Sequence, residues 1–363
     1  MVRKRSVESI FVTSNTQSES GIGNVMSKYA VFGLLMSVMA CGGSNSTTPV
    51  APTATATIST ATPSTNAVTF SGTVTNIVTG TVVSGATVTI GTASATTGTD
   101  GMYSLEVTAS GQPTFSVSAS GYHTRESAVS MSGATTINPE IIPDGDGFDL
   151  SFFDYLFREN GTQGTARRTT TPTYEIWTRQ FTCIELSTDG YNACVRMQAL
   201  EAEVPAEFET LARDAIAKIG QLSGNVLTNA IITTKSHTPG TILKRDDWGT
   251  ASGVVSIEYQ TTGLWVDANN NGNDACFCSP VSETGPGHIV YGTVSGLDLG
   301  IHVHEVGHSV GFGHPSGTPT QSTFMFNHPY TITPADELHG RILYKRPNGS
   351  LTPDTDPTGV TIN

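Results

Sequence analysis

Three histidines and a glutamate are spaced in a way that suits metal-assisted hydrolysis. His304 and His308 are four residues apart, so on a helix they lie on one face and can hold one zinc ion. Glu305 follows the first histidine, where its carboxylate can reach a metal-bound water. Glycine adopts positive φ freely, so Gly311 permits a sharp turn that can bring His314 back as a third ligand. Three protein ligands leave one position open, which is typical of catalytic zinc.

These residues complete the pattern HExxHxxGxxH, and the chain resembles the metzincin clan of zinc endopeptidases. The resemblance implies a zinc-dependent peptidase in which Glu305 is the general base. It also implies an apolar floor beneath the histidines, and Met325 occupies the corresponding position. Some branches use a tyrosine two residues past this methionine. Asn327 stands there in this chain and Tyr330 lies further on, so a catalytic tyrosine is not expected. The alternative is a helix with surface histidines that binds no metal.

The elements that must position this motif have recognisable patterns. An amphipathic helix is predicted from Val204 to Ile219, and a final helix is predicted to begin at Thr333. Strands are predicted at residues 174–177, 226–234 and 254–259. A helix followed by strands before the metal helix is the order that the metzincin resemblance implies. By the same resemblance, residues 287–293 are an edge strand that pairs with the substrate backbone. The alternative is an ordinary buried strand.

Residues 68–142 contain short runs of alternating polarity bounded by glycine turns, which predict an antiparallel sandwich of about seven strands. The segments SGATVTI, TGTDGMYSLEV and SASGY resemble the carboxypeptidase regulatory-like domain. The predicted fold class is therefore multidomain: an all-β Ig-like or prealbumin-like sandwich, followed by an α+β metzincin-type zinc peptidase domain. The peptidase domain is predicted at residues 143–346, and a loose tail at 347–363, which is rich in Pro, Asp and Thr.

The N-terminal region is predicted to direct export. Residues 1–40 have the apolar run of a signal peptide, and Met26 is a plausible true start. The sequence Val-Met-Ala before Cys41 resembles a bacterial lipobox, which implies lipidation of Cys41 and a membrane anchor. Residues 41–67 then form a Ser/Thr/Pro tether. The predicted location is the bacterial cell envelope, as an outer-membrane lipoprotein. The alternative is an ordinary secreted protein cleaved near Ala40.

Four further cysteines predict disulfides in an exported chain. Cys183 and Cys194 flank a turn signal and are the first choice of pair, which leaves Cys276 with Cys278. A second metal bound by Cys276 and Cys278 is the alternative.

Two acidic stretches offer carboxylates and carbonyls for calcium. The first is residues 144–147, and the second is residues 267–274, which resemble the front half of an EF-hand loop but lack the bidentate glutamate at the twelfth position. Calcium is therefore a possible second cofactor beside zinc, and solvated polar loops are the alternative.

The formal net charge of −13 argues against a nucleic-acid partner. The predicted function is a monomeric zinc endopeptidase acting on extracellular proteins or peptides. Two rivals remain open: a surface adhesin with a vestigial zinc site, and a metal-dependent hydrolase of another bond, such as an ester.

Overall fold

The protein was analysed as a computed structural model. The structure describes residues 67–132, 135–186, 194–244, 247, 251–262, 275–277, 281–315, 317–326 and 328–362, which all belong to one compact unit, Thr65–Asn363. The predicted signal peptide, Cys41 and nearly all of the tether lie outside these ranges, as do residues 267–274, Cys278 and Asn327.

The N-terminal part is a β-sandwich of eight short strands, one more than the sequence pattern predicts. The strands are β1 (Val68–Thr73), β2 (Thr75–Asn76), β3 (Thr87–Ile90), β4 (Ala93–Thr96), β5 (Met102–Val107), β6 (Thr114–Ser118), β7 (Arg125–Ala128) and β8 (Glu140–Ile141). A four-stranded sheet has the order β4-β3-β6-β7, and β1 pairs with β5 in antiparallel register. Strict alternation of exposed and buried residues along β5 places one face in the core.

The second part is built on a seven-stranded mixed sheet. Its strands are β9 (Thr173–Leu186), β10 (Cys194–Glu203), β11 (Ile232–Lys235), β12 (Ile242–Lys244), β13 (Val254–Gln260), β14 (Ala275–Phe277) and β15 (Gly287–Tyr291). The order is β12-β10-β9-β13-β15-β14, with β11 also paired to β9. The predicted edge strand at 287–293 is therefore wrong. β15 lies between β13 and β14, its five residues are all buried, and among the described residues β14 is the edge strand on that side of the sheet.

Five α-helices accompany this sheet: α1 (Leu150–Phe157), α2 (Ala206–Ile216), α3 (Ile219–Leu222), α4 (Leu299–Ser309) and α5 (Pro334–Tyr344). The long helix predicted at 204–219 ends earlier, at Ile216, and α3 follows after a turn. Helix α5 begins as predicted, because the Thr333 side chain accepts from the Asp336 backbone N–H and Asp336 accepts in return, forming a capping box. None of the helices in the described ranges is both long enough and apolar enough to span a membrane.

The sandwich and the mixed-sheet part share buried apolar surface. Ile77 and Ile142 of the sandwich region belong to the same hydrophobic cluster as Phe153 of α1, Val306 of α4 and Ile342 of α5. A separate cluster fills the sandwich itself, around Phe70, Val88 and Val117. The two parts are thus packed on one another and are not joined merely by a linker.

One predicted disulfide is present. Cys183 and Cys194 are bonded across the β9–β10 hairpin, with their Cα atoms 5.8 Å apart. Cys276 is also disulfide-bonded, so its thiol is not available to a second metal.

The C-terminal segment, residues 347–362, is ordered against the protein, so the predicted loose tail is wrong. The backbone N–H of Glu126 in β7 donates to Asp354 O at 3.0 Å, and Ile362 N–H donates to Ala128 O at 2.9 Å. Asp354, fully buried, receives hydrogen bonds from Arg125 and Arg346. The composition of this segment suggests a loose tail, but buried arginines balance the charges of its aspartates, so it packs against the protein.

His339 in α5 makes the stability of the fold sensitive to acid. Its ring is fully buried, Nδ1–H donates to Ala335 O at 2.7 Å, and Nε2 accepts the Asp149 N–H at 3.0 Å. Burial is the main cause that lowers its pKa below 6.5, so the neutral ring is the folded form. The contribution of His339 to the free energy of unfolding is therefore fully present above pH 6.5 and is lost as the pH falls below that value.

We expect the urea midpoint to fall between pH 7.5 and pH 5, with His339 contributing about 1 kcal/mol through the lost Asp149 hydrogen bond. The His339→Gln variant keeps one donor and one acceptor but cannot be protonated. It should therefore lose less stability over the same pH interval. Equal losses in the two proteins would assign the acid sensitivity to other buried groups.

Candidate metal centre

Helix α4 carries two of the three predicted ligands on one face. It begins at Asp298, whose Oδ1 accepts the Ile301 N–H at 3.1 Å and so caps the helix. The opposite face is anchored by His302, which is fully buried and stacks on Tyr291 with ring centroids 4.0 Å apart. His302 thus points away from the metal face. His304 and His308 are consequently held in register one turn apart.

The ring nitrogens of His304 and His308 face each other. Nε2 of one lies 3.1 Å from Nε2 of the other, whereas each Nδ1–H donates to a backbone carbonyl, that of Phe324 at 3.2 Å and that of Phe312 at 2.8 Å. With Nδ1 protonated, both Nε2 atoms present lone pairs, which repel unless a cation lies between them. Two nitrogens bound to a tetrahedral zinc lie about 3.3 Å apart, given Zn–N bonds of about 2.0–2.1 Å. The observed geometry therefore fits the ion.

The electrostatic setting also suits ligation. Burial, with a further contribution from His314, lowers the pKa of His304 to about 4. Burial and the two neighbouring histidines hold the pKa of His308 well below its ordinary value. Both rings are therefore neutral at pH 7, and neutral imidazole is the form that binds a metal.

The third histidine is brought in by the turn that follows α4. Gly311 has φ +117°, a conformation that favours glycine, and a Cβ there would lie 2.7 Å from Ala166 O. Gly313 N–H donates to Leu156 O at 2.7 Å, which holds the chain just before His314. One ligand atom from each histidine then lies within 4.8 Å of the other two. Within the described ranges, this is the single group of metal-ligating side chains.

The floor of the site is the buried pair Phe324 and Met325. Met325, which the metzincin resemblance places beneath the histidines, is 1% exposed. Gly307, inside the HExxH stretch, was not singled out from the sequence. A Cβ at Gly307 would lie 2.5 Å from Phe324 Cε2 and 3.2 Å from Met325 Sδ, so glycine lets the helix rest on this floor. A glycine on the inner face of a helix is the signal that could have revealed it.

We expect Gly307→Ala to weaken the site by overpacking, at a cost of about 1–3 kcal/mol in unfolding free energy. Denaturant unfolding with and without zinc measures this loss. Gly220→Ala is the matched control, because its nearest neighbour would lie 3.4 Å away. Equal stability of the two variants would contradict the packing argument.

Asp336, in the first turn of α5, is a second residue that supports the site and was not singled out from the sequence. Its buried carboxylate accepts the Thr323 hydroxyl at 2.6 Å and the Phe324 N–H at 3.3 Å. Phe324 O in turn accepts from His304 Nδ1. Asp336 therefore fixes the backbone that orients the first ligand. Such outer contacts tune metal affinity.

Glu305 is buried beside these ligands. The Phe277 backbone N–H, on edge strand β14, donates to its carboxylate. Oε2 of Glu305 is a buried oxygen with no hydrogen-bond partner in the described structure. Burial raises the pKa of Glu305 to about 8, and a bound dication lowers such a pKa again. The metal helix thus carries, one residue after His304, a buried carboxylate oxygen with no hydrogen-bond partner in the described structure.

Tyr330 lies closer to the site than the sequence suggested. Its ring centroid is 4.8 Å from that of His304, and burial is the main cause that raises its pKa, so the phenol stays protonated. Tyr330 also lines a cavity of about 520 Å³ formed by the start of α4 and residues 328–332. His328 and Asp298, which both line this cavity, are in contact at 2.9 Å. The site therefore adjoins a ligand-sized space.

Residues 144–147, which the sequence suggests as calcium ligands, make contacts with the sandwich. Asp146 Oδ2 accepts the Asn76 amide at 2.7 Å, and the backbone of Asp144 donates to Gly121 O. These contacts attach residues 144–147 to the sandwich.

Comparison with known proteins identifies the sandwich. Residues 69–141 match the carboxypeptidase regulatory-like domain, which confirms the predicted resemblance of this segment. No curated protein is significantly similar to the chain.

Two solved structures match parts of the chain. A Bacteroides fragilis protein described as membrane-associated and of unknown function is 24% identical over 21% of this chain and 28% of that chain, with a TM-score of 0.18. A type II cohesin–X-dockerin complex from Acetivibrio cellulolyticus is 27% identical over 20% of this chain and 51% of that chain, with a TM-score of 0.17. This chain thus spans about a quarter and about half of those two chains.

Proposed function

We propose that the protein is a zinc-dependent endopeptidase of metzincin type. The observation that carries the proposal is the pair of Nε2 lone pairs facing each other at 3.1 Å, with His314 beside them. Three imidazoles in a group, with a glutamate next to the first in the sequence, form a donor set typical of catalytic zinc. His304, His308 and His314 would hold the ion.

When bound, zinc would polarise the scissile carbonyl and lower the pKa of a coordinated water to about 7. The protein supplies the proton chemistry. Glu305 Oε2, which has no partner in the described structure, takes the proton of the attacking water and delivers it to the departing amide nitrogen. The Phe277 N–H holds the other side of the carboxylate during both transfers.

Two features support a peptide substrate over an ester or a non-peptide amide. Edge strand β14 ends at Phe277, next to Glu305, and an extended peptide can add to such an edge through main-chain hydrogen bonds. The cavity beside Tyr330 can take a substrate side chain, since its walls include Leu297, Val303 and Ile332. Together they would align a polypeptide across the histidines.

We assign to Tyr330 the role of stabilising the developing oxyanion, because its protonated phenol lies beside His304. We expect Tyr330→Phe to lower kcat by up to about 10²-fold, as loss of one oxyanion donor does. Zinc content should be unchanged. Steady-state kinetics on a peptide substrate measure the effect, and an unchanged kcat would remove Tyr330 from the mechanism.

The decisive experiment is elemental analysis of the purified chain, together with casein cleavage in the presence and absence of chelator. One zinc per chain and chelator-sensitive cleavage are expected. Zinc without cleavage of any protein or ester probe would favour the adhesin reading, and ester cleavage alone would favour another hydrolase. Absence of zinc at physiological concentrations would overturn the proposal.

We also propose that the enzyme is exported and anchored through lipid at Cys41, with residues 42–67 as a tether and with the catalytic part monomeric. The support is the apolar run before a lipobox-like sequence. Mass spectrometry of the processed N-terminus tests this: a diacylated Cys41 is expected, whereas an unmodified end near Ala40 would indicate ordinary secretion.

A further inference from the structure

A network of buried charges connects the sandwich to the C-terminal segment. Arg125, in edge strand β7, is 4% exposed and contacts Asp354 at 3.1 Å and Asp356 at 2.7 Å. Arg346, also buried, contacts Asp354 at 2.6 Å. Backbone hydrogen bonds run alongside, because Asp356 N–H donates to Glu126 O at 2.9 Å. The C-terminal segment therefore lies along the sandwich as an added strand.

The same C-terminal segment is hydrogen-bonded to residues 164–168, which we call the strap. Gly349 N–H donates to Thr165 O at 2.7 Å, and Thr165 N–H donates to Ser350 O at 3.0 Å. Asn348 closes a pair of hydrogen bonds with the backbone of Arg167, at 2.7 and 3.0 Å. A Cβ at Gly164 would lie 2.7 Å from Gly349 O, so the two backbones are in direct contact.

The other side of the strap touches the metal centre. Ala166 O and Arg167 border Gly311, the glycine of the turn that brings in His314. Arg168, 1% exposed, donates from Nε to Ser309 O at 2.8 Å, at the last residue of α4. A cation at a helix C-terminus is favourable, so Arg168 holds the end of the metal helix.

We propose that the β-sandwich is a positioning element of the metal centre, acting from Arg125 through the C-terminal segment and the strap on the turn that carries His314. The inference rests on the proposed function only in taking the three histidines as metal ligands. Each step is a direct contact: Arg125 on Asp354, Asn348 on Arg167, and Ala166 on Gly311. Arg125 and Asn348 are accordingly positioning residues.

Charge and burial give the network its effect. Without Arg125, Asp354 keeps Arg346, but the buried Asp356 loses its contacting guanidinium. An unpaired buried carboxylate is costly, so the segment around Asp356 separates from the sandwich. Once it leaves, the strap loses the hydrogen bonds on its outer side. The Gly311 turn then has no fixed backbone to pack against.

The test measures the zinc Kd of the full chain by competition with a chromophoric chelator. Arg125→Met removes the ion pairs between the sandwich and the C-terminal segment, and Asn348→Ala removes one pair of hydrogen bonds to the strap without touching a buried charge. Each is expected to weaken zinc binding about 10-fold, the lower end of the effect of lost outer-shell contacts. Tyr103→Phe is the control, because it removes a buried hydrogen bond to Ile137 O within the sandwich and leaves the C-terminal segment intact.

The control should lower Tm and leave the zinc Kd unchanged. The proposal is overturned if Arg125→Met and Asn348→Ala lower Tm but bind zinc as the unaltered chain does. It is also overturned if Tyr103→Phe weakens zinc equally, because general destabilisation then accounts for the loss. Failure of peptide cleavage alone would sink the proposed function and leave this inference standing. If the unaltered chain binds no zinc, both fall.

Discussion

Replacing Glu305 with glutamine is expected to lower kcat for peptide cleavage by about 10²- to 10⁴-fold, the range that general acid–base catalysis supplies. Glutamine keeps the size of the side chain and can still accept the Phe277 N–H that steadies Glu305. It cannot take a proton from water at neutral pH. Peptide cleavage should therefore be lost, whereas the arrangement of the three histidines should be kept.

Zinc content is the control for this variant. The three histidines are untouched, so one zinc per chain should remain, and Tm should not fall. Tm should even rise slightly, because the variant removes an ionisable carboxyl from a fully buried position. Cleavage by Glu305→Gln at the rate of the unaltered protein would remove the proposed base, and cleavage lost together with zinc would show damage to the site instead.

Gly311→Ala is expected to weaken zinc binding by more than the roughly 10- to 100-fold that follows loss of an outer-shell contact. Two effects combine. At φ +117° an alanine is strained, at a cost of about 1–3 kcal/mol, and its Cβ would meet the Ala166 carbonyl oxygen at 2.7 Å. A shift of the turn would relieve both the backbone strain and the close contact. It would also displace His314, which follows the turn. The ion would then keep two protein ligands.

Gly317→Ala separates these effects. Gly317 has a similar φ of +114°, but a Cβ there meets nothing within 4 Å. This control should bear the conformational strain and keep its zinc. Chelator competition on both variants gives the comparison. Equal affinity in the two would mean that contact with the strap does not fix the third ligand.

The gathering of the three histidines could be predicted from the sequence because its geometry is local. His304 and His308 share a helix, and Gly311 needs its positive φ whatever surrounds it. The alternating strands of the sandwich and the capping box at Thr333 are local in the same sense. In these places the chemistry of a few neighbouring residues already specifies the backbone.

The remainder depended on contacts between distant parts of the chain. β14 is three residues long, and only its pairing with β15 makes it the edge of the sheet. Gly307 matters because Phe324 happens to lie beneath it. The C-terminal segment has the composition of a tail, and its burial follows from Arg125, which lies 231 residues away from Asp356. No window of sequence contains both partners.

This separation has a consequence for the order in which the molecule is completed. A chain that emerges from its N-terminal end presents β7 long before residues 354–362 exist to cover it. At about 5–20 residues per second, the 231 residues between Arg125 and Asp356 take about 10–50 s to make. For that time the sandwich has an open edge, which is a site of mistaken strand pairing. Arg125 then acts as a gatekeeper, since its inward charge disfavours any strand that lacks aspartates to receive it.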